Sequence, residues 1–108
     1  MTLSEIKTML ESITGFSNKV AYYAFPVGNA PALPFICFYE TDSDNFAADG
    51  IVYHAIKDIT VELYSENRDI ASEALIEAAL LQSGIFWQKS IDYVDDEKMY
   101  MTIYEFEV

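Results

Sequence analysis

Hydrophobic and polar residues recur along the chain with periods that predict seven elements of secondary structure. Near the start, apolar residues return at three- and four-residue steps, which is typical of a helix with one buried face. The apolar positions are Leu3, Ile6, Leu10 and Ile13. Thr2 and Glu5 have the spacing of a capping box and predict where this helix begins, and Gly15 predicts where it stops.

Three strands are predicted to follow. Val20–Phe25 and Phe35–Glu40 are short apolar runs, and the connection between them contains prolines, which cannot donate to a strand ladder. Ile51–Ser65 alternates apolar and polar residues, apart from Lys57 on its apolar side, and this interruption predicts a bend or bulge near that lysine. The polar stretch Thr41–Gly50 predicts a loop between the second and third strands.

A second helix and a hairpin are predicted in the remainder of the chain. The helix covers Arg68–Ser83, with Glu73 and Glu77 on its solvated side. Its predicted buried stripe consists of Ile70, Ala74, Leu75, Ala78 and Leu81. Two strands, Ile85–Tyr93 and Lys98–Val108, follow it and flank an acidic turn, so they form a hairpin.

The predicted order is αβββαββ within a single domain, residues 1–108. Short connections between strands favour an antiparallel sheet with both helices on one face, an α+β two-layer sandwich. On the last strand, Met99, Met101 and Ile103 alternate with mainly aromatic residues, so both faces of that strand are largely apolar. A sheet with one solvated face does not need this, and we expect Met99 and Met101 to meet another chain.

Acidic residues dominate the charged positions. Asp and Glu number 18 against 6 Lys and Arg, and the formal net charge is −12 at pH 7. Proteins bind the phosphate backbone with clustered Lys and Arg, so this composition excludes direct affinity for nucleic acid. The same charge opposes self-association, and an oligomer of this chain needs an apolar contact large enough to overcome the repulsion.

Composition also bears on the compartment. Hydrophobic residues make up 52% of the chain and charged residues 22%, which is typical of a soluble globular domain. Neither a membrane span nor the apolar core of a signal peptide is recognisable. Cys37 is the single cysteine, so no internal disulfide can form, and its apolar neighbours predict a small buried side chain in a strand. We therefore expect a cytoplasmic protein without membrane contact.

Residues able to carry catalysis or to bind a metal are few and isolated. His54, the single histidine, lies within a predicted strand and has none of the partners typical of nucleophilic catalysis. Asp42, Asp44 and Asp49 have the spacing of calcium-binding carboxylates. The calcium-loop pattern nevertheless fails, because Phe46 takes the third ligand position and the glycine and closing glutamate are missing. We expect no enzymatic activity, no metal and no cofactor.

The same acidic stretch has a feature that a simple turn does not require. Phe46 is a large apolar residue in a long polar connection that also contains Asp42, Asp44 and Asp49. Such a combination suits a segment that contact with a neighbour orders. On this hypothesis Phe46 anchors in an adjacent subunit or partner, and the three aspartates face a channel or rim. The alternative is a solvated loop without any contact.

Five segments, together with the order of the elements, carry a likeness to a known group of proteins. They are Val20–Pro26, Leu33–Ile36, Ser43–Gly50, Val61–Tyr64 and Glu97–Tyr100. In them the chain resembles small tail-completion or tail-terminator proteins encoded in prophages of Gram-positive bacteria. The resemblance implies a non-enzymatic virion tail protein that assembles in the host cytoplasm. It also implies a ring of six copies that caps the tail tube and contacts the head-completion protein.

A second function is compatible with the charge. A small acidic inhibitor can mimic DNA and occupy the basic groove of a nuclease or restriction protein. Such a mimic needs carboxylates spread along one elongated face, whereas here many lie in predicted loops and on helix surfaces, which favours the tail protein. Acidic loops also suit a ring through which DNA passes, because they repel phosphate.

Overall fold

Two helices and a five-stranded sheet form the fold. A computed structural model describes residues 1–48 and 51–108, with side chains described outside 43–48 and 51–55. The elements are α1 (Leu3–Glu11), β1 (Val20–Tyr22), β2 (Phe35–Ala48), β3 (Ile51–Ser65), α2 (Ile70–Gln82), β4 (Trp87–Val94) and β5 (Met99–Glu107). The predicted order and the α+β class are confirmed. Neither of the described helices has the length and hydropathy needed to cross a membrane.

The sheet has the strand order β1-β2-β3-β5-β4, so β5 lies between β3 and its hairpin partner β4. Every neighbouring pair is antiparallel except β1 and β2, which are parallel. A parallel pair needs a crossover of roughly a dozen residues or more, and the connection 23–34 supplies it. Strand β1 ends at Tyr22, earlier than predicted, because Tyr23 adopts a φ of 71° that no strand continues.

Helix α1 begins as its sequence predicts. The Thr2 hydroxyl accepts a hydrogen bond from the Glu5 backbone N–H at 3.1 Å, and the Glu5 carboxylate accepts one from the Thr2 N–H at 2.9 Å. This capping box satisfies two N–H groups that the helix itself leaves without partners. The helix ends at Glu11, and Gly15 takes a φ of +93° in the turn that follows, a conformation that favours glycine.

Both helices pack on the same face of the sheet. Alternate strand residues from β2, β3 and β5 join residues of α1 and α2 in one apolar cluster. Its fully buried members from the strands include Ile36, Phe38, Ile59, Val61, Leu63 and Tyr104, and those from the helices are Ile6, Leu10, Ile76 and Leu80. The predicted buried positions of α1 are therefore confirmed at its centre, and the opposite face of the sheet carries neither described helix.

Helix α2 presents a different face to the sheet from the one predicted. Its buried residues are Glu73, Ile76 and Leu80. The predicted buried stripe, Ile70, Ala74, Leu75, Ala78 and Leu81, is exposed throughout. The helix has two apolar stripes, and the prediction chose the one without charge because a buried glutamate is rare. The structure buries the stripe that contains Glu73, since cations on neighbouring elements neutralise that carboxylate.

The carboxylate of Glu73 is the centre of a buried ion-pair cluster. Its side chain is 2% exposed, and it accepts a hydrogen bond from the Arg68 guanidinium at 3.0 Å and one from Lys89 Nζ at 2.7 Å. The Thr102 hydroxyl donates to the same carboxylate at 3.3 Å. Lys89 also bonds Glu77 at 2.8 Å, and Glu77 accepts a hydrogen bond from the fully buried Tyr104 hydroxyl at 2.9 Å. The predicted solvated side of α2 is thus bonded to β4 and β5.

Protonation follows from this geometry. Burial raises the pKa of Glu73, but the hydrogen bonds and charges of Arg68 and Lys89 outweigh burial and hold that pKa below its usual range. Hydrogen bonds to Glu73 and then to Glu77 raise the pKa of Lys89. Burial and the bond to Glu77 raise the pKa of Tyr104, which therefore remains a neutral donor. Glu73 contributes stability at neutral pH, and this contribution is lost as the pH falls through its lowered pKa.

The predicted loop Thr41–Gly50 is wrong over its described part, because β2 continues as a strand to Ala48. Strand β3 starts at Ile51 and supplies backbone partners along this whole length, and this pairing outweighs the low strand propensity of polar residues. Asp49 and Gly50 lie outside the described residues. The bulge predicted near Lys57 occurs at that level of the sheet but on β2, where Thr41 is the extra residue opposite Asp58 and Ile59.

The packing predicts opposite effects for two leucines. Leu10→Ala removes a residue that is 0% exposed and should lower the free energy of unfolding by about 2 to 5 kcal/mol. Leu81→Ala, at a position that is 66% exposed, is the matched control and should change stability by about 0.5 kcal/mol or less. Urea denaturation measures both. A larger loss for Leu81→Ala than for Leu10→Ala would reverse the assignment of helix faces.

The ion-pair cluster predicts a stability loss that depends on pH. Lys89→Met should cost about 1 to 3 kcal/mol at pH 7, because the Glu73 carboxylate loses a hydrogen-bond donor while it stays buried. The double variant Lys89→Met/Glu73→Gln should recover part of this loss, since the amide carries no charge. The difference between wild type and Lys89→Met should shrink as the pH falls through the Glu73 pKa. An equal difference at every pH would contradict the role of the charge.

Candidate assembly interface

The distal halves of β2 and β3 form a two-stranded arm. Strand β3 pairs with β5 only from Asp58 to Ser65, and Lys57 exchanges two backbone hydrogen bonds with Val108 at 2.9 and 3.0 Å. Strand β1 pairs with β2 only at residues 36–38. Within the described residues, Asp42–Ala48 and Ile51–Ile56 therefore pair with each other alone. A two-stranded ribbon is marginally stable in water, so this arm is a segment that a neighbouring molecule can stabilise.

Three of the predicted interface residues lie on this arm. Asp42, Asp44 and Phe46 occupy alternate positions of β2, with Asp58, Ile56 and His54 as their respective backbone partners on β3. Asp49, the fourth, lies outside the described residues. The structure thus places these three in one strand and not in the predicted loop, and their contact with a neighbour stays a prediction.

Met99 and Met101 lie elsewhere, on β5 in the body of the sheet. Met99 pairs with Val94, and Met101 pairs with Tyr64 on one side and Asp92 on the other. Met101 is therefore level with the end of β3 that is farthest from the arm. The predicted interface residues do not form one site but fall into two groups, one on the arm and one on the sheet.

The sheet face opposite the helices is rich in aromatic and apolar residues, and we call it the open face. Its residues at alternate strand positions are Phe35, Cys37, Tyr39, Glu62, Tyr64, Met101 and Ile103. The Phe35 and Tyr64 rings lie 5.2 Å apart, and Tyr23 stacks on Tyr39 with ring centroids 5.0 Å apart. Tyr23 is 64% exposed, so part of this aromatic surface is in contact with solvent.

Two tyrosines hold the one carboxylate at the centre of the open face. The Tyr64 hydroxyl donates to Glu62 at 3.0 Å, and the Tyr39 hydroxyl donates to it at 3.3 Å. Burial and the charge of Glu62 raise the pKa of both phenols, which therefore stay neutral donors. Sequence reasoning missed this cluster, although the tyrosine content of the predicted strands was a signal for it.

Cys37 lies beneath this surface as the predicted small buried residue. It is 4% exposed, and burial raises the pKa of its thiol to about 11, with the Glu62 charge as a further cause. The thiol stays protonated at neutral pH and does not act as a nucleophile. The side chain of His54 falls among those that the structure does not describe.

The described residues show no arrangement suited to catalysis or metal binding. No group of three or more His, Cys, Asp or Glu side chains within them could hold a metal ion. A groove of about 670 Å³ opens beside the start of β4, lined by Trp87, Phe86, Glu105, Asp58 and other residues without any histidine or cysteine. Asp58 and Glu105 there lack the neighbouring base or nucleophile that general acid–base chemistry requires.

Comparison with known proteins gives a likeness of fold. No protein-family model and no curated protein matches the chain. Among solved structures, the chain is similar to a chain of the virion of a native gene transfer agent (GTA) particle. The TM-score is 0.62, the two sequences are 13% identical, and the match covers 91% of this chain and 81% of that chain. The protein therefore shares its fold with a component of that particle.

Proposed function

We propose that this protein is a structural component of a phage-like virion and forms a ring that completes the tail at the head–tail junction. The observation that carries the proposal is the fold shared with a chain of a gene transfer agent virion over 91% of this sequence. The element order and sequence segments that resemble tail-terminator proteins point in the same direction. The partners in this proposal are further copies of the chain, the tail tube and the head-completion protein.

Two features of the fold suit a protein that works by assembly. The arm of β2 and β3 pairs with no other described strand, and β-ribbons of this kind gain stability when a neighbouring molecule packs on them. The open face of the sheet is aromatic and only partly covered. Both surfaces are extended and shallow, as contacts between subunits are, and neither is a pocket for a small substrate.

The charge also fits a ring around DNA. A net charge of −12 per chain gives the lining of a ring a negative potential that repels phosphate, so DNA passes without adhering. A DNA mimic would need its carboxylates directed outward. Glu73 and Glu77 instead face the sheet, where Lys89 bonds both of them, and this placement favours the structural role over the mimic.

Loss of the protein should produce defective particles. In a phage or prophage system that contains this gene, deletion should yield tails of uncontrolled length that fail to join heads, visible by negative-stain electron microscopy. Supplying the wild-type gene from a plasmid should restore normal particles and is the control. Normal, infectious particles in the deletion strain would refute the proposed function.

Phe46→Ser tests the contribution of the arm. The residue lies in a ribbon that pairs with no third described strand, so the melting temperature should stay nearly unchanged while assembly falls or tail length becomes irregular. Phe86→Ser makes the same chemical change at a residue that is 90% exposed in the body of the protein, and it serves as the control. Wild-type assembly and infectivity of Phe46→Ser would remove this residue from the mechanism.

Salt should strengthen association. Screening weakens the repulsion between chains of net charge −12 and leaves buried apolar contacts intact. Sedimentation velocity at low salt and at about 0.5 M salt should show a shift toward larger species at the higher concentration. Association that weakens with salt would show that ion pairs, and not apolar surface, hold the copies together.

A further inference from the structure

The outward face of α2 is an uncharged apolar stripe. We call it the α2 stripe, and its residues are Ile70, Ala71, Ala74, Leu75, Ala78 and Leu81. Ile70 is 60% exposed, Leu75 43% and Leu81 66%. The three alanines leave shallow depressions between these larger side chains, and no charged residue interrupts them. Contiguous apolar surface of this kind marks an interaction site.

The orientation of α2 is the reverse of that of an ordinary surface helix. The two charged residues of the helix, Glu73 and Glu77, both face the sheet, where Lys89 bonds them at 2.7 and 2.8 Å. A helix with one solvated side places its glutamates outward and its leucines inward. Here the ion pairs hold the glutamates inside, so the leucines are left outside. A helix that is apolar on its outward side as well is expected to be covered on both sides.

The opposite side of the molecule offers a surface of matching size and chemistry. The open face carries Tyr39, Tyr64, Met101 and Ile103, all half-buried, together with the exposed ring of Tyr23. Five strands at a spacing of about 4.8 Å make this face about 19 Å wide. Helix α2 has 13 residues and is about 20 Å long at 1.5 Å per residue. The helix therefore spans the width of the sheet.

We propose that the α2 stripe of one copy packs on the open face of the next copy, and that this contact is the repeating interface between subunits. The inference rests on the proposed function in that a ring of identical chains needs two different, complementary surfaces on each copy. Each α2 then lies between its own sheet and that of a neighbour, and both of its apolar sides are covered.

The occupant is a second copy because of charge and of placement. Two chains of net charge −12 repel over most of their surfaces, and the α2 stripe is a region where they can approach without opposing charges. Identical neighbours in a ring cover the stripe and the open face together, whereas a different partner on one surface leaves the other exposed. A pair formed by two α2 stripes alone contacts over little more than one helix, less than the roughly 800 Å² per partner of a stable interface.

The test uses two variants that each disrupt one surface. Leu75→Glu/Leu81→Glu places charge on the α2 stripe, and Met101→Glu places charge on the open face. Thr8→Glu adds charge on the exposed side of α1 and is the control. At about 0.5 M salt, sedimentation velocity should show concentration-dependent assembly for wild type and Thr8→Glu. Each surface variant alone should associate about 30-fold more weakly or not at all.

Mixing the two surface variants gives the decisive result. The stripe variant keeps an intact open face and the open-face variant keeps an intact stripe, so one contact between them remains. An equimolar mixture should form a 1:1 pair and nothing larger. A mixture that stays monomeric while wild type assembles would overturn the proposal. Loss of association by the stripe variant alone would also overturn it, since that outcome indicates contact between two stripes.

Two further controls keep the interpretation clear. Met101→Glu must retain the wild-type circular dichroism spectrum, and Tyr23→Asp replaces it if it does not, because Tyr23 is 64% exposed and Asp tolerates its positive φ. Wild type that stays monomeric at about 0.5 M salt and high concentration overturns the interface. The deletion experiment decides the function separately: normal particles without the gene refute the virion role and leave a measured interface standing.

Discussion

The buried carboxylate of Glu73 determines how α2 lies on the sheet. A carboxylate with 2% of its side chain exposed is costly unless cations accompany it, and Arg68 and Lys89 approach it within 3.0 and 2.7 Å. Lys89 projects from β4, so the pairing joins the helix to the edge of the sheet. With this stripe of α2 facing inward, Leu75 and Leu81 have no place in the core and lie on the outside.

This one orientation gives the molecule two dissimilar apolar sides. The α2 stripe lies on the helical layer, and the aromatic open face lies on the far side of the sheet. Complementary surfaces on opposite sides of a chain produce head-to-tail association, which closes into a ring when the rotation between copies permits it. The high negative charge then limits association to these surfaces and keeps the rest of the subunit from adhering to DNA.

The sequence predicted the parts of this fold that depend on local pattern, and it failed where tertiary contact decides. The capping box at Thr2 and the apolar stripe of α1 followed from spacing alone. The face of α2 did not, because the cation that neutralises Glu73 most closely, Lys89, lies in another element. The extension of β2 to Ala48 also escaped prediction, since pairing with β3 outweighs the polar composition of that segment. Met101 was placed on a contact surface without its aromatic neighbours.

Thiol labelling of single-cysteine substitutions on α2 tests the central claim most directly. Leu81→Cys and Leu80→Cys place a thiol on opposite faces of the helix, at positions 66% and 0% exposed, while buried Cys37, whose pKa is raised to about 11, remains silent. In dilute protein at low salt, the thiol in Leu81→Cys should react nearly as fast as a free thiol, and it should become protected when the chains assemble. The thiol in Leu80→Cys should be protected in both conditions. Fast labelling of Leu80→Cys with protection of Leu81→Cys in the dilute protein would contradict the account.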